Sequence, residues 1–200
     1  MKSASSFLLA ARACEIAELE QLARTSELVA LICQFTHALQ RERGISNVFL
    51  GTQGESFASQ RLQQVVRCEQ LEREVRARFE LLDTDAGGVR NGARLFSRVA
   101  TLLHALDGLP ALRGHIGRQA ITPHDSTEAF CRCVAGLLAV VFEAADNASD
   151  PQVSRALVAL FNFMQGKEFA GQERAFGAAV FASGRIDGTG QQHWRHLIEL

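Results

Sequence analysis

The sequence predicts an all-α protein, an antiparallel helix bundle framed by a long first and a long penultimate helix. Three observations carry that prediction. Ala, Leu, Arg, Glu and Gln dominate the composition and there are only three prolines, and these common residues lose least on entering a helix. No long stretch shows the strict apolar–polar alternation of a strand. Apolar residues recur instead at steps of three and four, the spacing of one helical face. With 47% hydrophobic content in 200 residues, the chain can bury a real core, as one domain or two small subdomains.

Taken in order, residues 3–50 read as one long helix or two in tandem, with Leu28, Ile32, Phe35, Leu39, Arg43, Ser46 and Leu50 on one stripe. Gly51 and Gly54 mark its stop. Residues 59–82 form a second helix, with Arg73, Arg76 and Arg78 on its polar side and Glu69, Glu72 and Glu80 as helix partners. Residues 83–92 (DTDAGGVRNG) are a loop by composition. A third helix covers 93–106, and Gly108-Leu109-Pro110 turns the chain into a short helix over 111–119. Thr122 or Ser126 caps the next helix, placed at 127–147. Asp150 and Pro151 make a clean start, an Asp cap followed by Pro in the first turn, for a helix running to about residue 183. A loop over 184–190 leads to a last amphipathic segment, 191–200.

Charge and cysteine usage exclude several classes. A formal charge of −1 lacks the basic excess of a nucleic-acid surface, so direct nucleic-acid binding by this segment is not expected. The basic residues are nonetheless unusual, since all but Lys2 and Lys167 are Arg, the residue suited to forked contacts with planar anions and to partly buried ion pairs. The five cysteines are odd in number and lack zinc-finger spacing, which favours a reduced, cytoplasmic setting. The apolar run near the start soon meets Glu15, Glu18 and Glu20 and reads as a helix start rather than a signal peptide. No apolar run approaches the roughly 18–20 residues needed for a membrane span.

The chemistry concentrates in FNFMQGKEFAGQERAFGAAVFA, residues 161–182. One helical stripe there reads Leu160, Met164, Lys167, Gly171, Arg174, Ala178, Phe181. Two cations thus stand on a stripe otherwise suited to packing, with Gly171 between them removing side-chain volume. Glycine inside a helix costs roughly 1 kcal/mol against Ala, so the space should be used. On the first helix Arg43 has the same context, an apolar face turning polar beside Gly44. Guanidinium groups of Arg43 and Arg174 brought to one pocket would repel each other unless a counter-charge joined them, and a small anion meets that need with paired oxygens. The competing reading is structural: Glu42, Glu168 and Glu173 are available to pair with Arg43 and Arg174 across helices without any ligand.

Leu39-Gln40-Arg41-Glu42-Arg43-Gly44-Ile45-Ser46, followed downstream by Lys167-Glu168-Phe169-Ala170-Gly171-Gln172-Glu173-Arg174-Ala175-Phe176-Gly177, resembles the NIT family, the nitrate- and nitrite-sensing domains of bacterial regulators. Leu109-Pro110-Ala111-Leu112-Arg113 is similar to a third, weaker feature of that family. The resemblance spans roughly residues 28–187, within a single sensor domain over 1–200. It implies two packed helical bundles, with nitrate or nitrite between helices, held by Arg43 and Arg174 and, through the weaker motif, Arg113. Lys167 either adds charge to the pocket or snorkels out beside Glu168. The family's domains resemble input modules attached to an output such as an RNA-binding antiterminator, a kinase, a cyclase or a chemoreceptor. No output domain is recognisable in this sequence, so the resemblance implies the sensor portion of a larger regulator or one acting on a separate partner, with room for a homodimer.

No catalytic constellation stands out: there is no nucleophile–base order, nucleotide loop or paired-carboxylate motif. His193 and His196 have a spacing seen in metal sites but no acidic or Cys partner. Cys131 and Cys133 fit a helix that buries one of them and are wrongly spaced for a redox pair. The expectation is a non-enzymatic, cofactor-free, metal-free sensor. The alternative is a helical dimerisation or interaction module whose arginines form salt bridges.

Overall fold

The computed structural model describes residues 3–82, 92–146, 148, 150–183 and 188–199, with the side chains at 178–183, 189, 190, 193, 197 and 198 outside that description. Its helices in chain order are α1 (Ala4–Gly51), α2 (Ala58–Phe79), α3 (Gly92–Asp107), α4 (Leu109–Gly117), α5 (Pro123–Asp146), α6 (Pro151–Ser183) and α7 (Gly188–Glu199). Every described element is helical, as the composition requires, and the first and penultimate helices are the two longest, at 48 and 33 residues.

Local chemistry explains the boundaries. Ser3 is extended and its Oγ accepts from the Ser6 amide at 3.2 Å, an N-cap for α1. α1 ends where Gly54, at φ +85°, folds its amide back onto the Phe49 carbonyl at 2.8 Å. α4 begins with Pro110 in its first turn, two residues earlier than the sequence suggests. Thr122 is the cap of α5, its Oγ1 accepting from the Asp125 amide at 3.1 Å, and the helix therefore starts at Pro123, four residues before the expected 127. Ser126, the other candidate cap, lies buried inside the helix. Asp150 caps α6 as expected, accepting from the amides of Gln152 (2.6 Å) and Val153 (3.2 Å). α7 likewise starts three residues before the expected segment. The loop expected over 83–92 lies outside the described residues except Gly92, which opens α3, and the loop over 184–190 outside them up to 187.

α1 packs on α2, α5 and α6, and α5 packs on α1, α3, α4 and α6, while α7 lies on α6. These two helices join the group α2–α3–α4 to the group α6–α7. The buried apolar cluster runs through both groups, from Leu28 and Ile32 on α1 through Leu71 on α2 and Leu137 on α5 to Leu157 and Met164 on α6. All seven residues of the α1 stripe, Leu28 to Leu50, are buried as the periodicity predicts. The α6 stripe is rotated from its expected line. Leu157, Met164 and Glu168 are buried, whereas Lys167 and Arg174 are exposed. A residue is turned about 100° from its neighbour on a helix, so placing Glu168 inward carries Lys167 to the edge.

Candidate anion site

Two of the sequence-predicted arginines are buried and paired. Arg43 is 2% exposed and Glu168 3%, and the two meet across the α1–α6 contact, Nη1 donating to Oε1 and Nη2 to Oε2 at 3.3 Å. Gln40 donates to Oε2 of the same carboxylate at 2.8 Å and Gln172, one turn along α6, to Oε1 at 2.8 Å. Cys131 of α5 completes the cluster, its Sγ 3.0 Å from Nη1 of Arg43. Burial works against the Arg43 charge, but the hydrogen bond and field of Glu168, with Cys131 adding to them, outweigh it and hold the guanidinium above its usual pKa. Burial pushes the Cys131 thiol up, with Arg43 opposing. Gly171 serves this pair. A Cβ there would stand 3.0 Å from Nη2 of Arg43.

Arg113 belongs to a separate cluster. Its Nε and Nη2 donate to the two oxygens of buried Glu42 at 2.8 and 3.0 Å, with Glu72 of α2 at 3.8 Å and Glu69 at 3.9 Å from Nη1. Burial opposes the Arg113 charge and the bond to Glu42 more than offsets it. Adjacent residues of α1 thus point opposite signs at different partners: Glu42 to Arg113 of α4, Arg43 to Glu168 of α6.

The other two predicted residues line an open pocket of about 480 Å3 between α1, α2 and α6. Lys167 and Arg174 come from α6, and His37, Gln40, Arg41, Gly44 and Ile45 from α1. Gln60, Gln63 and Gln64 add amides from α2, and Phe57 precedes that helix. No carboxylate is among the lining residues. Lys167 Nζ donates to Gln40 Oε1 at 2.7 Å and lies 3.0 Å from His37 Nδ1. Arg41 and Arg174 have no ion-pair partner among the described residues. Burial lowers the Lys167 pKa, Glu168 opposes that, and Arg174 lowers it further. His37 is lowered by burial, then by Lys167 and Arg41. In both groups burial is the larger cause, and the neighbouring cations add to it.

The structure therefore brings Lys167 and Arg174 together at the pocket, sets Arg43 behind its wall and places Arg113 in another cluster. His37, Gln40 and Arg41 were missed by the sequence reading. Steps of four from His37 through Arg41 to Ile45 form a line flanking the buried stripe, with Arg41 its cation, and Gln40 lies one residue before Arg41.

A family model described as nitrate and nitrite sensing, NIT, matches residues 34–200, and the chain belongs to that family. The nitrate regulatory protein of Klebsiella oxytoca is 37% identical over 177 residues, which is 88% of this chain and 43% of that protein. The structure of the NasR transcription antiterminator matches with a TM-score of 0.85 at 32% identity, covering 97% of this chain and 52% of that one. The chain spans about half the length of these relatives. Both are regulators by name.

Proposed function

We propose that this chain is a nitrate- and nitrite-binding sensor domain of a bacterial regulator, taking the anion into the pocket between α1, α2 and α6. The observation that carries the reading is the lining itself: three permanent cations, Arg41, Lys167 and Arg174, face a cavity that contains no carboxylate. Such an arrangement repels itself when empty, and a small monoanion relieves the repulsion while adding charge-assisted hydrogen bonds. Family membership supports nitrate or nitrite as that anion. Arg174 is the direct contact, Lys167 and Arg41 supply field, and Arg43 stands behind Gln40. Arg113 acts through its clasp on Glu42, which fixes the neighbouring turn of α1.

Because the pocket walls come from α1, α2 and α6, an anion that draws them together changes helix packing, and that is the output of a sensor. The response then passes to a segment or partner beyond this domain, a terminal helix or a dimer interface being the route. The relatives' names support a regulatory, non-enzymatic role, and five free cysteines favour a cytoplasmic setting. No described helix is long and apolar enough to cross a membrane. The rival reading, a helical interaction module with structural arginines, draws on the two buried clasps Arg43–Glu168 and Arg113–Glu42. It leaves the unpaired cations of the pocket without a purpose.

The test is calorimetric titration of nitrate and nitrite at constant ionic strength with chloride as background. Saturable binding is expected in the wild type. Arg174→Ala removes one charge-assisted contact of about 1.5–3 kcal/mol, so affinity should fall roughly 10- to 100-fold. A folded wild type with neither nitrate- nor nitrite-specific heat, and no gain in Tm over chloride, overturns the reading.

A further inference from the structure

The buried carboxylate of Glu168 is held in a manner that fits a planar anion of any origin. Oε1 accepts from Arg43 Nη1 and Gln172 Nε2, and Oε2 from Arg43 Nη2 and Gln40 Nε2. A guanidinium fork and one amide from each of two helices thus surround two coplanar oxygens. Nitrate and nitrite present an O–N–O edge with the shape and charge of a carboxylate O–C–O edge, and N–H donors in a fork do not distinguish the central atom. The cage also shares a wall with the open pocket. Gln40 donates to Glu168 with its Nε2 while its Oε1 accepts from Lys167, and both Gln40 and Lys167 line the pocket.

We infer that Glu168 is the resident occupant of a planar-oxyanion site at Arg43, and that an anion with a carboxylate-like edge, entering by the cationic pocket, exchanges with it. The inference rests on the sensor reading and adds to it the identity of an internal competitor. Exchange never leaves the buried guanidinium without a counter-charge, which simple opening of the clasp would do. Arg41, Lys167 and Arg174 remain in the pocket, so the cluster holds cations enough for both the incoming anion and the released carboxylate. Glu168 is a residue of α6 and Arg43 of α1, so exchange breaks a contact between the two helices. An anion that merely added to the pocket would leave that contact intact. The site discriminates by shape: nitrate, nitrite and formate are planar like the carboxylate they replace, whereas tetrahedral perchlorate carries two further oxygens outside the plane of its O–Cl–O edge, for which a cage fitted to a carboxylate leaves no place.

The experiment is titration of nitrate, formate and perchlorate into the wild type and Glu168→Gln, at constant ionic strength, with melting temperature followed in parallel. The amide keeps the side-chain shape and one acceptor oxygen but lacks the charge, so the competitor is weakened. Apparent affinity scales with the fraction of sites that are open, and nitrate should bind the variant at least roughly tenfold tighter than the wild type, with perchlorate little changed. Formate should raise the Tm of the variant more than that of the wild type, as a free carboxylate refilling the cage. Should Glu168→Gln fail to fold, Glu168→Asp, which keeps the charge on a shorter arm, should tighten nitrate in the same direction. A wild type that binds nitrate alongside a folded variant of equal or weaker affinity overturns the exchange and leaves the sensor reading standing. Absence of nitrate binding in both proteins, even with formate stabilising the variant, overturns the sensor reading and the exchange with it, because the fork cannot accept one planar edge and refuse the other. No response to any planar anion in either overturns both.

Discussion

A methyl group added at Gly171 would lie 3.0 Å from Nη2 of Arg43, a guanidinium pinned by both oxygens of Glu168. At Gly44 the same methyl group would meet nothing within 4 Å. The two glycines accompany the two arginine motifs in parallel fashion, yet their surroundings give opposite expectations. Replacing a helical Gly by Ala gains roughly 1 kcal/mol from backbone entropy and helix propensity. Gly44→Ala should keep that gain. At Gly171 the guanidinium is held by both oxygens of Glu168, and overpacking of a fixed interior typically costs about 1–3 kcal/mol. Gly171→Ala should therefore be destabilising by up to about 2 kcal/mol net. Denaturant midpoints of the two variants check this, and equal gains at both positions would show that Arg43 moves aside freely. The same reasoning fixes the worth of the clasps: removing one partner strands a buried charge at a cost of about 3–5 kcal/mol, so Arg43 and Arg113 report on stability as well as on binding.

Among the helices, α1 divides into two parts with different reasons to be helical. From Leu28 onward its stripe is buried and packing holds it. Residues 4–27 are almost entirely exposed, including Phe7, Leu8, Leu9, Ile16 and Leu19. That segment is helical through local propensity, through surface pairs such as Arg12–Glu15 (2.6 Å) and Arg24–Glu20 (3.5 Å), and through continuation of a helix nucleated by the core. Surface pairs of this kind contribute little. Deleting residues 1–24 should therefore leave Tm within about 2 °C of the full chain, read by calorimetry or circular dichroism. A larger loss would mean that this segment is packed against something in solution. On α6 the inward line passes through Leu157, Met164 and Glu168, which puts a carboxylate in the core and the cations at its margin. Stripe counting at steps of three and four fits Lys167 as well as Glu168, and the choice between them is made by what α1 presents: a buried arginine attracts Glu168 and repels Lys167.

For the whole molecule the pocket makes a pH signature. Burial first, then Lys167 and Arg41, depress the His37 pKa below its ordinary 6.5. A group whose folded pKa is depressed stabilises the fold above its unfolded pKa, and that contribution is lost as pH falls through the folded value. The empty protein should accordingly lose stability as pH drops below about 6.5. The groups facing His37 are Lys167 and Arg41, both cationic throughout this range, so protonation adds a further positive charge to an already cationic pocket. Nitrate affinity should then rise over the same interval in which the empty protein weakens. Calorimetric titrations at a series of pH values check the prediction, and His37→Gln should flatten the profile.

The sequence by itself determined the helical class, the long first and penultimate helices, the Asp150 cap with Pro151 in the turn that follows, and the buried stripe of α1. These follow from composition, i to i+3 and i+4 spacing and capping chemistry, all of which act within a few turns of one helix. Its motifs also resembled the NIT family, which the family match over residues 34–200 bears out. Only the tertiary structure decided how the charges are divided. Arg43, Arg113 and Arg174 look alike in the sequence. One is closed by Glu168, one by Glu42, and one lies open on a pocket. That division depends on the rotation of α6 about its axis and on which neighbour each turn of α1 meets. Both are set by side-chain packing between segments far apart in the chain, 125 residues for Arg43 and Glu168 and 71 for Glu42 and Arg113, which no local pattern encodes.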